Sequence, residues 1–275
     1  MGISVEAPVL LVGCGNMGGA MLGGWLDRKI LPEQVTIIEP NPAAAEAFRC
    51  WAGLQILSSI DVLDPIYRPV VVVFAVKPKE TEGVLKDCRR FVGRQTVFLS
   101  IVAGKRIRFF EEVLGKEAAI VRAMPNTPAA VRRGISVAFA NSHVTEEHRA
   151  ICQRLLEAVG ESDWVGDEAL LDIVTAVSGS GPAYVFLFTE CLAKAAIKAG
   201  LPASLAWRLA RVTVSGSGAL LRRSGEAPDV LRQNVTSPNG TTEAALKLLL
   251  SPDGLQPLID RAVTAAAARS RELGD

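Results

Sequence analysis

Val9-Leu10-Leu11-Val12-Gly13-Cys14-Gly15-Asn16-Met17-Gly18 is an uncharged, strand-forming run that ends in glycines spaced G-x-G-x-x-G. In that setting the first glycine permits the turn, the second lets a pyrophosphate approach, and the third lets the following helix pack on the sheet. Glycine turns between strand and helix also serve packing alone, so the reading depends on what surrounds the motif. A helical pattern follows from Met17 to Asp27, and a second β-branched run begins at Val35. That β-α-β context predicts a dinucleotide site, for a nicotinamide or a flavin.

Val35–Glu39, Val70–Val76, Thr96–Val102, Ala119–Ala123 and Gly134–Ala140 read as further strands, with a second helical pattern over Ala43–Ala52. Continuous apolar runs such as Val70–Val76 suit a parallel sheet covered on both faces. The first half is therefore predicted to be α/β, a Rossmann-type doubly wound sheet. From Glu168 onward the chain is rich in Ala and Leu at helical spacing. Breaks are expected at Gly200–Pro202, Ser224–Pro228, Ser237–Gly240 and Ser251–Gly254, and an alanine-rich final helix around Ala262–Ala268. The expected division is a dinucleotide-binding domain over 1–165 and an all-helical domain over 166–275.

Glu39 ends the second expected strand about twenty residues past the fingerprint, where a carboxylate accepts hydrogen bonds from an adenine ribose and repels a 2′-phosphate. That residue favours NADH over NADPH, against the plain reading of a loop carboxylate in Glu39-Pro40-Asn41-Pro42. The later strands end at Ala75-Val76-Lys77-Pro78, Ser100-Ile101-Val102-Ala103-Gly104 and Met124-Pro125-Asn126-Thr127-Pro128. Ligands of open α/β sheets sit at the carboxyl ends of the strands, so these turns are expected to wall the nicotinamide.

Composition narrows the classes. The 275 residues carry 30 Lys plus Arg against 29 Asp plus Glu, a formal charge of +1, which provides no field for nucleic acid or an anionic membrane. Five scattered cysteines without a C-x-x-C pair read as reduced thiols in a cytoplasmic protein. No signal peptide is expected at residues 1–19. The apolar stretch Ile173–Thr189 is interrupted by Ser178-Gly179-Ser180-Gly181-Pro182, so no membrane span is expected. His143 and His148, five residues apart, are expected at the surface, and no metal site is expected. Cys14 is expected to serve packing.

Two segments of the second half stand out: Thr175-Ala176-Val177-Ser178-Gly179-Ser180-Gly181-Pro182-Ala183-Tyr184 and Asn234-Val235-Thr236-Ser237-Pro238-Asn239-Gly240-Thr241-Thr242. With GCGNMG, AVKP and MPNTP, in this order over nearly the whole chain, they resemble the pyrroline-5-carboxylate reductases. The resemblance implies reduction of 1-pyrroline-5-carboxylate to L-proline by NADPH or NADH, the last step of proline synthesis. It also implies a homodimer through C-terminal helices, often assembled into decamers, with each active site built from two chains.

Carried onto matching positions, it implies a cofactor held by Val12, Gly13, Cys14, Gly15, Asn16 and Met17, by Ala75, Val76, Lys77 and Pro78, by Ile101, Val102 and Ala103, and by Asn234. It implies substrate held by Gly240, Thr241, Thr242 and Glu168. Independently, Pro238-Asn239-Gly240 breaks one helix and Thr241-Thr242 opens the next, so N–H groups there suit a carboxylate, although plain N-capping would use the same threonines. Thr242 can offer its hydroxyl to the ring nitrogen, orienting an iminium. The family usually has Gly-Gly where this chain has Asn239-Gly240. Asn tolerates a positive φ next best, so the turn is expected to survive.

Two other classes fit the residues less well. A β-hydroxyacid dehydrogenase needs a proton acceptor near the substrate hydroxyl, and the position of its lysine is held here by Val185 or Thr189. A non-catalytic dinucleotide sensor would not need the T-S-P-x-G-T-T turn.

Overall fold

The computed structural model describes residues 8–28 and 30–274, so the first seven of the residues 1–19 on which the expectation about a signal peptide rests lie outside them. Two compact units emerge, one of residues up to Gly179 together with those from Ala266, the other of Ser180–Ala265. The expected boundary at 165/166 thus differs from the compact units. Residues 166–179 stay with the sheet because Leu171, Asp172 and Ala176 are buried there, as are Ala267 and Ser270 near the far end of the chain.

Along the first unit run β1 (Val9–Val12), α1 (Asn16–Asp27), β2 (Val35–Ile38), β3 (Gln55–Leu57), β4 (Val71–Phe74), α2 (Thr81–Cys88) and β5 (Val97–Ser100). They are followed by α3 (Ile107–Leu114), β6 (Ala119–Met124), β7 (Gly134–Ala140), α4 (Glu146–Glu157), β8 (Gly160–Trp164) and α5 (Leu170–Val174). Among the described residues the strands form one sheet in the order β3-β2-β1-β4-β5-β6-β7-β8. Because successive side chains alternate in a strand, Val9, Leu11, Val71 and Val73 pack with Met21 and Trp25 of α1 and Leu155 of α4. Leu10, Val12, Val72 and Phe74 pack on the opposite face with Leu85 of α2 and Phe110 of α3. Both faces are covered, as the uninterrupted apolar runs demand. The chain runs outward from β1 through β2 and β3, then returns to β4 on the other side of β1, which makes the β1/β4 carboxyl ends the switch point.

Several expectations need correction. The helix over Ala43–Ala52 is instead two 3-10 turns, Pro42–Ala44 and Glu46–Phe48, because only Ala45 is buried there and no apolar stripe exists to hold a longer helix. Two edge strands, β3 and β8, had no apolar signal because their residues are half-buried or exposed. β7 runs antiparallel to β6, since the short connection through Thr127–Val131 cannot make the crossover that a parallel neighbour requires.

His148 is not at the surface: it is only 6% exposed and closes a capping box at the start of α4. Its N–H donates to Thr145 Oγ1 at 3.2 Å, and its Nδ1 accepts from the Thr145 N–H at 3.4 Å. Burial holds its pKa below the ordinary 6.5. Below about pH 6.5 the unfolded chain therefore binds the extra proton first, so stability present above that pH is lost as pH falls toward the folded value. We expect thermal melts from pH 7.5 to 5 to show a smaller loss of midpoint for His148→Asn than for the parent chain; parallel curves would rule His148 out as a source.

The second unit is helical: α6 (Gly181–Lys198), α7 (Ala203–Ser224), α8 (Pro228–Asn234), α9 (Thr241–Leu249) and the start of α10 (Leu255–Gly274), with breaks at the four expected places. A π-turn over Thr175–Gly179 precedes α6, so the Ser-Gly-Ser-Gly-Pro segment does not interrupt the helical run. Leu170–Lys198 is in consequence long and apolar enough to cross a membrane by length and composition, with mean hydropathy 1.4 over its best window, which the sequence reading did not expect. Among the described residues of this unit the buried apolar side chains are only the alanines Ala193, Ala206 and Ala210. Phe186, Leu187, Trp207, Val212 and Leu248 stand exposed.

Candidate active site

A cleft of about 540 Å³ opens at the β1/β4 switch point. Of the expected cofactor residues, Val12, Gly13, Gly15, Glu39, Ala75, Val76 and Lys77 line it. Each fingerprint glycine has a distinct environment. Gly13 has φ +93°, and a Cβ there would lie 2.7 Å from the Ala75 carbonyl oxygen. A Cβ on Gly18 would lie 2.2 Å from the Gly13 oxygen, so the third glycine permits the close seating of α1. Gly15 caps α1 at φ −67°, an ordinary value, and a Cβ there would meet nothing within 4 Å. The protein's own backbone and packing do not require a glycine at that position, whereas a ligand lying across the turn does.

Glu39 lies just past β2, and its carboxylate is anchored by two backbone donors. Oε2 accepts the Cys14 N–H at 2.7 Å and Oε1 the Asn41 N–H at 2.9 Å. The acid is thereby fixed against the glycine turn. Cys14 contributes its N–H rather than its sulfur. Its side chain is buried, and burial, then Glu39, push the thiol up to about 11, so it is a poor nucleophile at neutral pH. Among the described lining residues Lys77 is cationic, while Glu39, Glu80 and Asp87 are acidic. These features fit a dinucleotide at this cleft.

The sequence reading missed Ser58 and Ser59, which line the cleft from the end of β3. Ser59 caps a short 3-10 turn by accepting the Asp61 N–H at 3.2 Å, and its signal was hidden by the unrecognised strand. Cys14, Asn16, Met17, Pro78, Ile101, Val102 and Ala103 do not line the cleft, although the last three form the turn at the end of the neighbouring β5. Ser100 Oγ braces that turn by accepting the Val102 N–H at 3.2 Å.

Glu168 is bound up in the sheet unit. Its Oε1 accepts both the Ile107 N–H, capping α3, and Arg122 Nη1, each at 2.9 Å. Arg122 is buried, so this carboxylate balances an interior charge. Asn126 is a further residue whose role the sequence left open: its Nδ2 donates to the Ser178 carbonyl at 3.2 Å and its Oδ1 accepts the Ile135 N–H at 2.9 Å. It thus ties the end of β6 to the π-turn, a type of helix distortion frequent at functional sites.

In the helical unit Asn239 adopts φ +59°, as expected of the turn, and its N–H donates to Glu243 Oε2 at 2.8 Å. Gly240 is the N-cap of α9 and Thr241 and Thr242 open it, which leaves first-turn N–H groups without helical partners. Asn234 Nδ2 donates to Glu226 Oε2 at 3.4 Å.

Residues 8–104 match the family described as NADP oxidoreductase coenzyme F420-dependent, and residues 168–273 match pyrroline-5-carboxylate reductase dimerisation. A pyrroline-5-carboxylate reductase of Pseudomonas aeruginosa is 37% identical over 97% of both chains. The solved pyrroline-5-carboxylate reductase of Coxiella burnetii superposes with a TM-score of 0.91 at 33% identity, covering 98% of this chain and 99% of that one. The Plasmodium falciparum pyrroline carboxylate reductase, solved with NADP bound, gives 0.80 at 30% identity, with 98% and 99% covered. Fold and cleft thus define a Rossmann-type nicotinamide-dinucleotide oxidoreductase that carries a helical dimerisation region. Within that class, the chain belongs to the pyrroline-5-carboxylate reductase family, whose members reduce 1-pyrroline-5-carboxylate to proline with NAD(P)H.

Proposed function

We propose that this chain reduces 1-pyrroline-5-carboxylate to L-proline in the cytoplasm with NADH as the better coenzyme, working as a homodimer. The observation that carries the coenzyme choice is Glu39, held by two backbone N–H groups beside the glycine turn. A carboxylate so anchored suits ribose hydroxyls and opposes a 2′-phosphate. The adenosine end is assigned to Glu39 with Ser58 and Ser59, and the pyrophosphate to the turn Val12–Met17. The nicotinamide end is assigned to Ala75–Pro78 and Ile101–Ala103, with Asn234 contributing its amide. When bound, the dihydronicotinamide supplies the hydride that the imine carbon accepts.

The chain's own residues position the substrate. The Thr241 and Thr242 N–H groups at the start of α9, in the turn that Gly240 opens, are assigned to its carboxylate; the Gly240 N–H itself donates to the Ser237 carbonyl at 3.0 Å. Thr242 is the residue placed against the ring nitrogen. Its hydroxyl is too weak an acid to be the main proton source, so it orients an imine that arrives protonated, the more electrophilic form. Glu168 has Oε1 committed to Arg122 and Ile107, which leaves Oε2 as the oxygen offered to substrate.

Residues 166–275 form the proposed dimerisation and substrate-binding region, supported by the family match over 168–273. A helical unit that buries only alanines and exposes Phe186, Leu187 and Trp207 needs a second apolar surface. That need also accounts for the hydropathy of Leu170–Lys198 without a bilayer. Further assembly into decamers is a reading from family resemblance. The five unpaired cysteines fit a reducing compartment.

The test is the initial rate of nicotinamide absorbance loss with 1-pyrroline-5-carboxylate, run with NADH and NADPH in parallel, with light scattering for mass. Turnover with a higher kcat/KM for NADH is expected, from a dimer or a larger assembly. Turnover favouring NADPH would remove the Glu39 argument and keep the reductase. Cofactor binding without turnover would favour another imine or the sensor reading.

A further inference from the structure

Asp172 in α5 is a carboxylate only 2% exposed, and the reaction as derived does not use it. Its Oδ1 accepts Ser270 Oγ at 2.7 Å and its Oδ2 faces Arg106 Nη2 at 3.5 Å. Arg106 ends the turn that begins at Ile101, and Ser270 lies in the last turns of α10. The same stretch of α10 touches the turn again. A Cβ on Gly104, which has φ +70°, would lie 3.1 Å from the Leu273 carbonyl oxygen, and a Cβ on Gly274 would lie 2.9 Å from Arg106 Nε. One residue further on, the Ile107 N–H is held by Glu168, four positions before Asp172.

We infer that Asp172 and Ser270 are positioning residues that clamp the 101–106 turn in its cofactor-binding shape. The inference rests on the oxidoreductase reading of that turn. A backbone surface that must meet a nicotinamide binds more tightly when it is ordered beforehand. The Asp172 carboxylate supplies that order by joining the turn to α5 and to the end of α10. Neither residue is assigned to substrate or coenzyme, so their effect on rate is indirect and falls on coenzyme affinity.

The experiment compares Ser270→Ala, Ser270→Thr and a control, Leu156→Val, which trims a buried side chain of α4 in the core on the sheet face opposite that of Val102 and Ile107. Ser270→Ala is expected to raise the NADH KM by about three- to tenfold with kcat within about twofold, less than the full worth of a hydrogen bond to a carboxylate because the loss reaches the coenzyme only through the turn. Ser270→Thr keeps a hydroxyl and is expected to restore the parent value. Leu156→Val, with a comparable loss of melting temperature, is expected to leave the NADH KM unchanged. An unchanged KM in Ser270→Ala, or an equal rise in Leu156→Val, overturns the inference. Should the parent chain fail to turn over 1-pyrroline-5-carboxylate, the functional reading fails by itself. The NADH dissociation constants of the same proteins, read by nicotinamide fluorescence, then decide the clamp.

Discussion

Glu39→Gln is expected to move the ratio of kcat/KM values, NADH over NADPH, toward NADPH by about ten- to hundredfold. The charge is what changes: a carboxylate several ångströms from a 2′-phosphate costs about 1–3 kcal/mol where solvent screens partly, and each 1.4 kcal/mol is tenfold. The amide keeps the length of the side chain and can still accept the Cys14 N–H in place of Oε2. It cannot accept two donors with two oxygens, so the Asn41 N–H, now held by Oε1, loses a partner or turns toward solvent. NADH affinity should therefore fall by a few-fold while NADPH affinity rises. If both coenzymes lose equally, Glu39 is a brace for the glycine turn and not a selector. Glu80 and Asp87, which also line the cleft, lie on the α2 side and give a second place to look for discrimination.

How much of this was legible in the residues depends on what each element buries. Strands β1, β2, β4 and β5 are buried along their whole length, so their apolar runs were visible without neighbours. β3 and β8 are edges, half in water, and their polar residues look like loop until a neighbour pairs with them. The four helix breaks of the second half were legible because Gly and Pro act locally. The Ser178–Pro182 segment misled for the same reason: a π-turn takes up Gly179 and α6 starts at Gly181, and local rules read a continuous helical run as two pieces.

The site divides along the same line. The glycine turn and Glu39 are local in sequence, with Gly13 beside Ile38 and Glu39 anchored to Cys14, so spacing alone located them. Asn239 too could be read locally, because its left-handed backbone needs only a residue type. Glu168 with Arg122, Asn126 with Ser178, and Asp172 with Ser270 pair across 46, 52 and 98 positions. No single sequence reports such pairings. His148 was misjudged on its polar neighbours, since its burial comes from its place at the start of α4 and not from the residues beside it.

The fingerprint glycines provide the sharpest separation of folding from binding. Gly13→Ala forces a side chain into φ +93° and sets its Cβ 2.7 Å from the carbonyl oxygen of Ala75, a residue tied to β1 by its N–H on the Val12 carbonyl at 2.8 Å. The conformational term alone is about 1–3 kcal/mol, enough to lower the melting temperature by about 2–10 °C, and the shifted turn should no longer bind coenzyme. Gly15→Ala meets neither obstacle. Its φ of −67° is ordinary and the space around its Cβ is open, so the melting temperature should hold, the about 0.4–1 kcal/mol that a compatible Gly→Ala exchange gains from the unfolded chain offsetting alanine's poorer N-capping. The open space is where the pyrophosphate is proposed to lie. The same variant is therefore expected to lose about tenfold or more in NADH affinity, measured by fluorescence titration on protein that melts like the parent. If Gly15→Ala binds NADH as well as the parent, the pyrophosphate does not cross the turn there. If it melts early as well, the residue serves the fold, and the two glycines are not separable.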